Sequence, residues 1–163
     1  MKRIVAVIAF AAVLPGGVAL QPAAAQERTV GRNWNCARNI TTHAEVCGNL
    51  LTRRQARQRV GGKLLVRLFQ HTGYRGQTVS YTGGRRCSRP YDLEYRKQDL
   101  NEFAFPLPFR NKASSVRTFN RCDVKLINID PNPNQKSTWI DEYRNLANLG
   151  SGWNNRADRV RVS

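Results

Sequence analysis

Short runs of β-branched or alternating hydrophobic and polar residues recur along the chain from residue 63 onward. Each run is bounded by Gly, Pro, Asn or Ser, and alternation puts every second side chain on one face of a strand. The predicted strands span residues 63–69, 77–81, 115–119, 123–129, 138–140 and 159–162. Short strands separated by turns in this way predict an antiparallel all-β fold.

A helical pattern precedes these strands, over residues 49–60. This segment is rich in good helix formers, begins with Asn49 as a candidate N-cap, and is followed by Gly61 and Gly62 as a stop signal. Its arginines spread over a broad arc of the helix, which leaves a few apolar side chains for docking. The residues predicted to dock are Leu50, Leu51 and Val60. We therefore expect a basic extension with one short helix at residues 26–62.

The N-terminus has the three parts of a secretory signal peptide. Residues 1–3 are basic, residues 4–14 are apolar, and residues 21–25 end in small residues of the A-x-A kind. We place the cleavage after Ala25 and expect a secreted protein. The apolar run is too short for a membrane anchor, since about 20 residues are needed to span a bilayer, and we expect no stable membrane insertion after cleavage. The predicted division is a signal peptide at 1–25, the basic extension at 26–62 and a β-domain at 63–163.

Four cysteines agree with export into an oxidising compartment, where paired thiols persist. They are Cys36, Cys47, Cys87 and Cys122. Four cysteines allow three pairings, and we favour Cys36–Cys47 with Cys87–Cys122, because the first two lie in the N-terminal segment and the others in the strand-rich part. A zinc site is disfavoured because the chain has no C-x-x-C and its two histidines are not at zinc-ligand spacing.

The strand-rich part divides into two halves, residues 63–121 and 122–163, that end in the same kind of segment. Residues 110–117 and 154–161 share Asn, Ala, Val and Arg at matching positions, with Asn111 and Asn155 lying 44 residues apart. A duplicated supersecondary unit explains this local repeat best.

The first half also contains the string FQHTGYRG. In it, four residues separate the aromatic residues Phe69 and Tyr74, and one residue separates Tyr74 from Gly76. Together with the two Asn-containing turns, this string resembles the βγ-crystallin superfamily. Among its secreted bacterial members, the chain is most similar to the small disulfide-bonded proteins grouped as a peptidase-inhibitor family. The resemblance covers about residues 63–163.

The resemblance implies a sandwich of two four-stranded Greek keys, preceded here by the short helical, basic extension. In such a motif Phe69 and Tyr74 are core or corner residues, and Gly76 supplies a backbone conformation that a Cβ would disfavour. The second half departs from the pattern, because residues 127–134 contain no aromatic pair and no glycine. Its corner must be built in another way.

The family's Asn- and Asp-containing turns imply calcium sites, because they offer the hard oxygen ligands that Ca²⁺ takes. The candidate ligands are Asn111, Ser114 and Ser115 in the first turn and Asn154, Asn155 and Asp158 in the second. Both turns are imperfect, since Arg110 stands where the family prefers Asn or Asp, and Asp158 and Arg159 stand where hydroxyls are usual. In the alternative reading, the Asn and Ser side chains only cap the turns.

The charge balance indicates an anionic partner. The chain has 27 Lys and Arg against 11 Asp and Glu, a net charge of +16, and cleavage after Ala25 removes only Lys2 and Arg3, which leaves +14. The candidate basic patch comprises Arg53, Arg54, Arg57, Arg59, Arg75, Arg85, Arg86 and Arg89. Guanidinium groups pair well with phosphate and carboxylate, so one hypothesis is a cationic binding or toxin-like module for envelope or nucleic-acid surfaces. A merely solvated basic surface is the alternative.

The family resemblance instead implies a proteinase inhibitor with an extracellular proteinase as its partner. Such a protein needs a rigid exposed segment that loses little entropy on entering an active-site cleft. The candidate inhibitory loop comprises Pro131, Asn132, Pro133, Asn134, Gln135 and Lys136. An ordinary long hairpin loop is the alternative.

Enzymatic motifs are missing from the sequence. It contains no nucleotide-binding loop, H-E-x-x-H or G-x-S-x-G motif, and no paired-carboxylate signature. We therefore expect a non-enzymatic protein. A remote alternative is a secreted ribonuclease that uses His43 and His71 with Glu45 for general acid–base chemistry.

Overall fold

The computed structural model describes residues 34–103, 108–130 and 133–163. The predicted signal peptide, with its cleavage after Ala25, lies outside the described residues, as do Pro131 and Asn132 of the predicted inhibitory loop. The strands are β1 (Asn35–Asn39), β2 (Glu45–Gly48), β3 (Lys63–His71), β4 (Arg75–Gly83), β5 (Tyr95–Asp99), β6 (Ser115–Thr118), β7 (Val124–Asn128), β8 (Gln135–Ile140), β9 (Glu142–Tyr143) and β10 (Arg159–Val162). The α-helix α1 is Arg53–Val60, and a 3₁₀ turn covers Leu146–Asn148.

All six predicted strands are confirmed, as β3, β4, β6, β7, β8 and β10. The hydrophobic pattern missed β1, β2, β5 and β9. The sequence of β5 is YRKQD, and this strand forms one edge of its sheet, where a polar sequence is well solvated. The other three are short or contain small and polar residues, so they show no alternation to detect.

The strands form two sheets with the orders β2-β1-β4-β3-β6-β9 and β5-β10-β7-β8. In the first half, β3 and β4 form a hairpin and β6 returns beside β3, while β5 pairs with β10 in the other sheet. The second half repeats this plan: β7 and β8 form a hairpin, β10 returns beside β7, and β9 pairs with β6. Each half thus gives its third strand to the sheet of the other, which confirms the predicted sandwich of two βγ-crystallin-like Greek keys.

The two repeated turns meet each other through reciprocal hydrogen bonds. The backbone N–H of Asn111 donates to the carbonyl of Ala157 at 2.9 Å, and that of Asn155 donates to the carbonyl of Ala113 at 2.9 Å. Both asparagines have φ of 54°, in the left-handed region that Asn tolerates. The 44-residue repeat is therefore structural, and it brings the two turns side by side.

The core lies between the two sheets. Every second side chain of the inner strands points into it, and many are fully buried. This group includes Leu65, Leu68, Val79, Tyr81, Leu126, Val160 and Val162. The predicted aromatic corner is confirmed, because the rings of Phe69 and Tyr74 lie 5.3 Å apart. Gly76 has φ of 78°, and a Cβ there would lie 2.6 Å from the His71 ring.

The described part of the N-terminal segment is joined to the first sheet. β1 runs parallel to β4, β2 pairs with β1, and α1 packs on β1 through a small cluster of Ala37, Ala56 and Val60. Leu51 packs against this cluster, as predicted, but Leu50 is 76% exposed and does not dock. The division of the chain at residue 62 stays a prediction, since it concerns which part folds independently.

The predicted start of the helix at Asn49 is wrong. α1 begins at Arg53, with Thr52 as its N-cap. The hydroxyl of Thr52 accepts from the Gln55 N–H at 3.2 Å, and the Gln55 side chain accepts from the Thr52 N–H at 2.9 Å. This reciprocal capping box satisfies two N–H groups, whereas the candidate cap at Asn49 lies before a stretch that the helix does not include.

The favoured disulfide pairing is confirmed. Cys36–Cys47 joins β1 to β2, and Cys87–Cys122 joins the segment after β4 to the turn before β7. Disulfides persist in oxidising compartments, so the pairing agrees with a location outside the reducing cytosol. No helix within the described ranges is long and apolar enough to cross a membrane.

Candidate functional site

Four arginines converge on a groove between α1 and the outer face of the first sheet. We call it the arginine groove. It is open to solvent. Its lining residues are Arg53, Arg54, Arg57, Leu64, Arg67, Phe119 and Asn120. None of the described residues that line it is acidic.

The arginine groove encloses about 400 Å³. Three of its arginines come from α1, where Arg53 and Arg57 lie one turn apart, and the buried Ala56 and Val60 form the adjacent stripe that holds the helix on the sheet. Arg67 comes from β3. Strand alternation turns its side chain outward while its neighbours in the strand face the core, so the same register that builds the core also builds the groove.

The arginines of the groove repel one another. Burial, together with the positive charges of Arg53 and Arg57, lowers the pKa of Arg67 to about 10. Burial also lowers the pKa of Arg53. The Nε of Arg67 donates to the hydroxyl of Ser80 at 2.9 Å, which satisfies one donor but neutralises no charge. An anion between these guanidinium groups would relieve the repulsion.

Aromatic rings extend the cationic surface along the sheet. Arg67 and Arg117 are directly opposite each other on β3 and β6, and each guanidinium lies 5.9 Å from the centroid of Phe119. Arg53 lies 5.1 Å from the centroid of Phe69. The face of an aromatic ring attracts a cation placed above it, so these contacts stabilise the charged guanidinium groups. Arg117 also has an acidic partner, since its Nε lies 3.5 Å from an oxygen of Glu142.

The structure divides the predicted basic patch. Arg53, Arg54 and Arg57 line the arginine groove. The other members lie elsewhere: Arg75 and Arg85 line two different clefts, and Arg59, Arg86 and Arg89 are exposed outside the groove. Sequence reasoning missed Arg67 and Arg117, which the alternation of their strands would have placed together on the outer face.

The two repeated turns bring all six predicted calcium ligands into one region, but an internal ion pair already uses the carboxylate. Asp158 is fully buried. One of its oxygens accepts from the Nε of Arg110, and the other accepts from the Ile129 N–H at 2.7 Å. Arg110 also pairs with Asp130. The hydrogen bond and charge of Asp158 raise the pKa of Arg110, so a fixed cation stands against both carboxylates.

A second cleft, which we call the turn cleft, lies beside this ion pair and has a volume of about 530 Å³. Its lining residues are Gln70, His71, Thr72, Arg75, Asn111, Lys112, Ser114, Asn154 and Asn155. The hydroxyl of Ser114 donates to the Asn155 side-chain oxygen at 3.1 Å. The hydroxyl of Ser115 donates to the His71 carbonyl at 2.6 Å and accepts from the Tyr74 N–H at 3.1 Å.

The surroundings of these residues disfavour Ca²⁺. The ion prefers six to eight oxygen ligands with carboxylates among them, whereas Asp158 is occupied by Arg110 and the turn cleft has Arg75 and Lys112 in its lining. Within residues 34–103, 108–130 and 133–163, no group of three His, Cys, Asp or Glu side chains could hold a metal ion. The hydroxyls of Ser114 and Ser115 and the carboxylate of Asp158 are engaged within the turns, and calcium binding there stays a prediction.

The candidate inhibitory loop is shorter than predicted. Gln135 and Lys136 belong to β8, where they pair with Asn128 and Ile127 of β7, so they are strand residues. Pro133 and Asn134 are exposed, as are both of these strand residues. Arginines hold the two sides of the connection: Arg110 pairs with Asp130 before it, and Arg156 donates to the Gln135 side chain after it.

The residues of the ribonuclease hypothesis do not share a cleft. His43 lies in the turn between β1 and β2 and lines a cleft with Arg85, whereas His71 lines the turn cleft. Glu45 lies 3.8 Å from the Nε of Arg38, measured from its carboxylate oxygen. The general acid and general base that this hypothesis needs are not placed together.

Sequence reasoning missed a pair of carboxyl groups, Asp123 and Asp141. Burial and a hydrogen bond with Asp141 raise the pKa of Asp123 to about 6, although the Tyr91 N–H donates to Asp123 at 3.0 Å and opposes the shift. The two residues line a cleft with Arg121. They lie 18 positions apart in the sequence, and no motif there connects them.

No protein-family model matches this chain, and no curated protein matches it either. Among solved structures, the chain is similar to the NMR structure of Hahellin, a beta-gamma crystallin, with a TM-score of 0.39 and 16% sequence identity. The match covers 63% of this chain and 93% of that chain. The fold described above rests instead on the strand order and register of this chain.

The carboxyl pair predicts a pH dependence of stability. The pKa of Asp123 is higher in the folded protein, about 6 against an ordinary value of 3.8, so the folded state binds the proton more tightly. The contribution of this group to stability is therefore lost as the pH rises from about 4 to about 6. We expect Asp141→Asn, which removes the like charge, to reduce this loss, so that its Tm rises relative to the unsubstituted protein over that interval.

Thermal melts at steps across this pH interval measure the difference in Tm. Asp92→Asn, at an exposed position, is the matched control and should give a difference that does not change with pH. A difference in Tm between Asp141→Asn and the unsubstituted protein that does not change with pH would contradict the effect of Asp141 on the pKa of Asp123.

The Arg110 ion pair predicts the response to calcium. We expect the unsubstituted protein to melt at the same temperature in chelator and in millimolar Ca²⁺. Arg110→Asn removes the internal cation and leaves the buried Asp158 without its partner, so its Tm in chelator should fall. Because carboxylate oxygens are calcium ligands, Ca²⁺ should then restore part of the loss.

The double variant Arg110→Asn with Asp158→Asn is the control, since it lacks the carboxylate and should show no calcium response. Differential scanning calorimetry measures all three proteins. A calcium-dependent rise in the Tm of the unsubstituted protein would overturn this interpretation and restore calcium as a ligand of the turns.

Proposed function

We propose that this chain is a secreted, non-enzymatic protein that binds anionic polymers of the cell envelope through the arginine groove. The observation that supports the proposal most directly is the convergence of Arg53, Arg54, Arg57 and Arg67 on one groove whose described lining contains no acidic residue. Isolated arginines are common on solvated surfaces. In this groove Arg53 and Arg57 lie close enough to Arg67 to lower its pKa, and such repulsion is more specific because it has to be offset.

The groove is also rigid, which favours binding. Its helix is fixed at one end by the Thr52 capping box and on its buried side by Ala56 and Val60. The remaining arginine lies on β3, in the middle of the first sheet. A surface held in this way loses little conformational entropy when a ligand binds. Guanidinium groups can then donate paired hydrogen bonds to phosphate or carboxylate groups.

The groove predicts a specific effect of charge removal. In Arg54→Gln with Arg57→Gln, we expect the affinity for a fluorescently labelled polyphosphate chain to fall about thirtyfold, taking about 1 kcal/mol for each arginine near an anionic surface. The affinity of the unsubstituted protein should fall as salt rises from about 50 to about 200 mM, and the double variant should show a smaller salt dependence. Fluorescence anisotropy measures both quantities.

The matched control is Arg59→Gln with Arg86→Gln, which removes the same charge from exposed positions outside the groove. We expect this control to bind nearly as well as the unsubstituted protein. Equal losses in the two double variants would show that only the overall charge matters, and the groove would then have no special role.

Proteinase inhibition is a second candidate function, and the anchored connection between β7 and β8 supports it. Pro133 and Asn134 are exposed, while arginines hold Asp130 and Gln135 on the two sides. An exposed segment with fixed flanks is what an inhibitor needs in order to enter a cleft at low entropic cost. A ribonuclease is not proposed, because His43 and His71 line different clefts.

This candidate predicts saturable, stoichiometric inhibition when the oxidised protein is titrated against a panel of secreted metallo- and serine proteinases. Asn134→Ala with Lys136→Ala should weaken the inhibition at least about tenfold, as loss of contacts at an interface centre does. Asn101→Ala with Lys97→Ala is the control, at exposed positions on and just after β5, which forms the opposite edge of the second sheet from β8. Proteolytic activity that is unchanged at micromolar protein would exclude this function.

A further inference from the structure

The two repeated turns create two equivalent positions, of which one is filled by a side chain and the other is open. The Ser114 N–H donates to the Phe69 carbonyl at 2.8 Å, and the Asp158 N–H donates to the Ile127 carbonyl at 2.9 Å. Ser114 and Asp158 thus occupy the same place in the two halves, as do Arg110 and Asn154 by their position in the repeat. One position is filled by the guanidinium of Arg110 against carboxylates. The other is the turn cleft, which is open.

The charge of the turn cleft is positive. Arg75 and Lys112 contribute fixed charges. No acidic residue is found among the described residues of the lining, and neither Arg75 nor Lys112 forms a salt bridge with a described carboxylate. The one hydrogen bond of the Arg75 guanidinium to a described residue is with the Thr72 carbonyl at 3.3 Å. Both cations therefore keep donors for a ligand.

A hydrogen bond inside the cleft orients an amide toward the same kind of ligand. Ser114 is buried, with 4% of its surface exposed, and its hydroxyl donates to the side-chain oxygen of Asn155. Because the oxygen of Asn155 is engaged in this way, its NH₂ group is the end that remains for a ligand. An NH₂ donor beside two cations suits an anion and repels a metal ion.

We propose that the turn cleft binds a tetrahedral oxyanion, a phosphate or sulfate group. Arg75 and Lys112 supply charge-assisted hydrogen bonds, and the Asn155 NH₂ supplies a neutral donor. The volume of about 530 Å³ leaves room for a larger molecule that carries the group. This site is separate from the arginine groove: the two share no lining residue, so the site does not depend on the function proposed above.

Titration with inorganic phosphate, followed by the chemical shifts of backbone amides, tests the proposal. We expect saturable shifts of Lys112, Ser114 and Asn155. In Arg75→Gln with Lys112→Gln, two charge-assisted hydrogen bonds are lost, so the dissociation constant should rise at least about tenfold. Arg96→Gln with Lys97→Gln removes the same charges from exposed positions on β5 and should leave it unchanged.

A single substitution provides a second test that removes neither Arg75 nor Lys112. Asn155→Asp keeps a residue that tolerates the positive φ of this position and can still accept from Ser114, but it replaces the NH₂ donor with a negative oxygen. We expect this variant to melt cooperatively and to lose phosphate binding. Arg54→Gln with Arg57→Gln should keep phosphate binding in the turn cleft, which separates this site from the groove.

Glycerol phosphate, used in the same titration, distinguishes the two sources of the group. Tighter binding than inorganic phosphate supports a phosphate carried by a larger molecule, and equal binding supports the free ion. Two results would overturn the proposal: shifts that do not saturate by about 10 mM phosphate, well above the millimolar range of weak specific sites, or equal affinities in Asn155→Asp and the unsubstituted protein.

Discussion

The exchange of third strands between the two halves is the constraint on which the rest of the structure depends. β5 belongs by sequence to the first half but pairs with β10, and β9 belongs to the second half but pairs with β6. Neither sheet is complete without the other half, so the core forms only when both halves are present. The reciprocal hydrogen bonds of Asn111 and Asn155 fix the same relation at the turns. The turn cleft inherits its geometry from this relation, because both turns contribute residues to its lining.

The same architecture separates the charges of a strongly basic chain into two kinds. Arg110 lies between Asp158 and Asp130 and holds two turns together, so its charge serves the fold. Arg67 lies among other cations on the outer face, where its hydrogen bond within the described part of the chain is to Ser80. The two residues are of the same type, and they differ in the groups that surround them. Arg110 has two carboxylate partners, whereas Arg67 forms no salt bridge with a described carboxylate and is an arginine that an anionic ligand would complete.

The sequence predicted the fold more fully than the sites, for physical reasons. Alternation revealed strands such as β3 and β10 because one face of each is buried, and the repeat around Asn111 and Asn155 revealed the duplication. Edge strand β5 gave no such signal. The sites depend on long-range neighbours: nothing local shows that Arg110 meets Asp158, 48 residues away, or that Asp123 meets Asp141. The repeat predicted where the two turns lie. The hydrogen-bond and ion-pair partners of their side chains depend on contacts that no motif encodes.

The parallel pairing of β1 with β4 also covers a strand edge that could otherwise pair with another chain. Without β1 and β2, β4 would be the outer strand of the first sheet and would present nine residues of unpaired backbone. Exposed edges of that length invite pairing with another chain and lead to aggregation. The short β2, with four residues and a disulfide to its neighbour, is a much poorer template. The N-terminal hairpin thus acts as a built-in cover for the sheet edge, and a chain shortened to residue 63 would lose that protection.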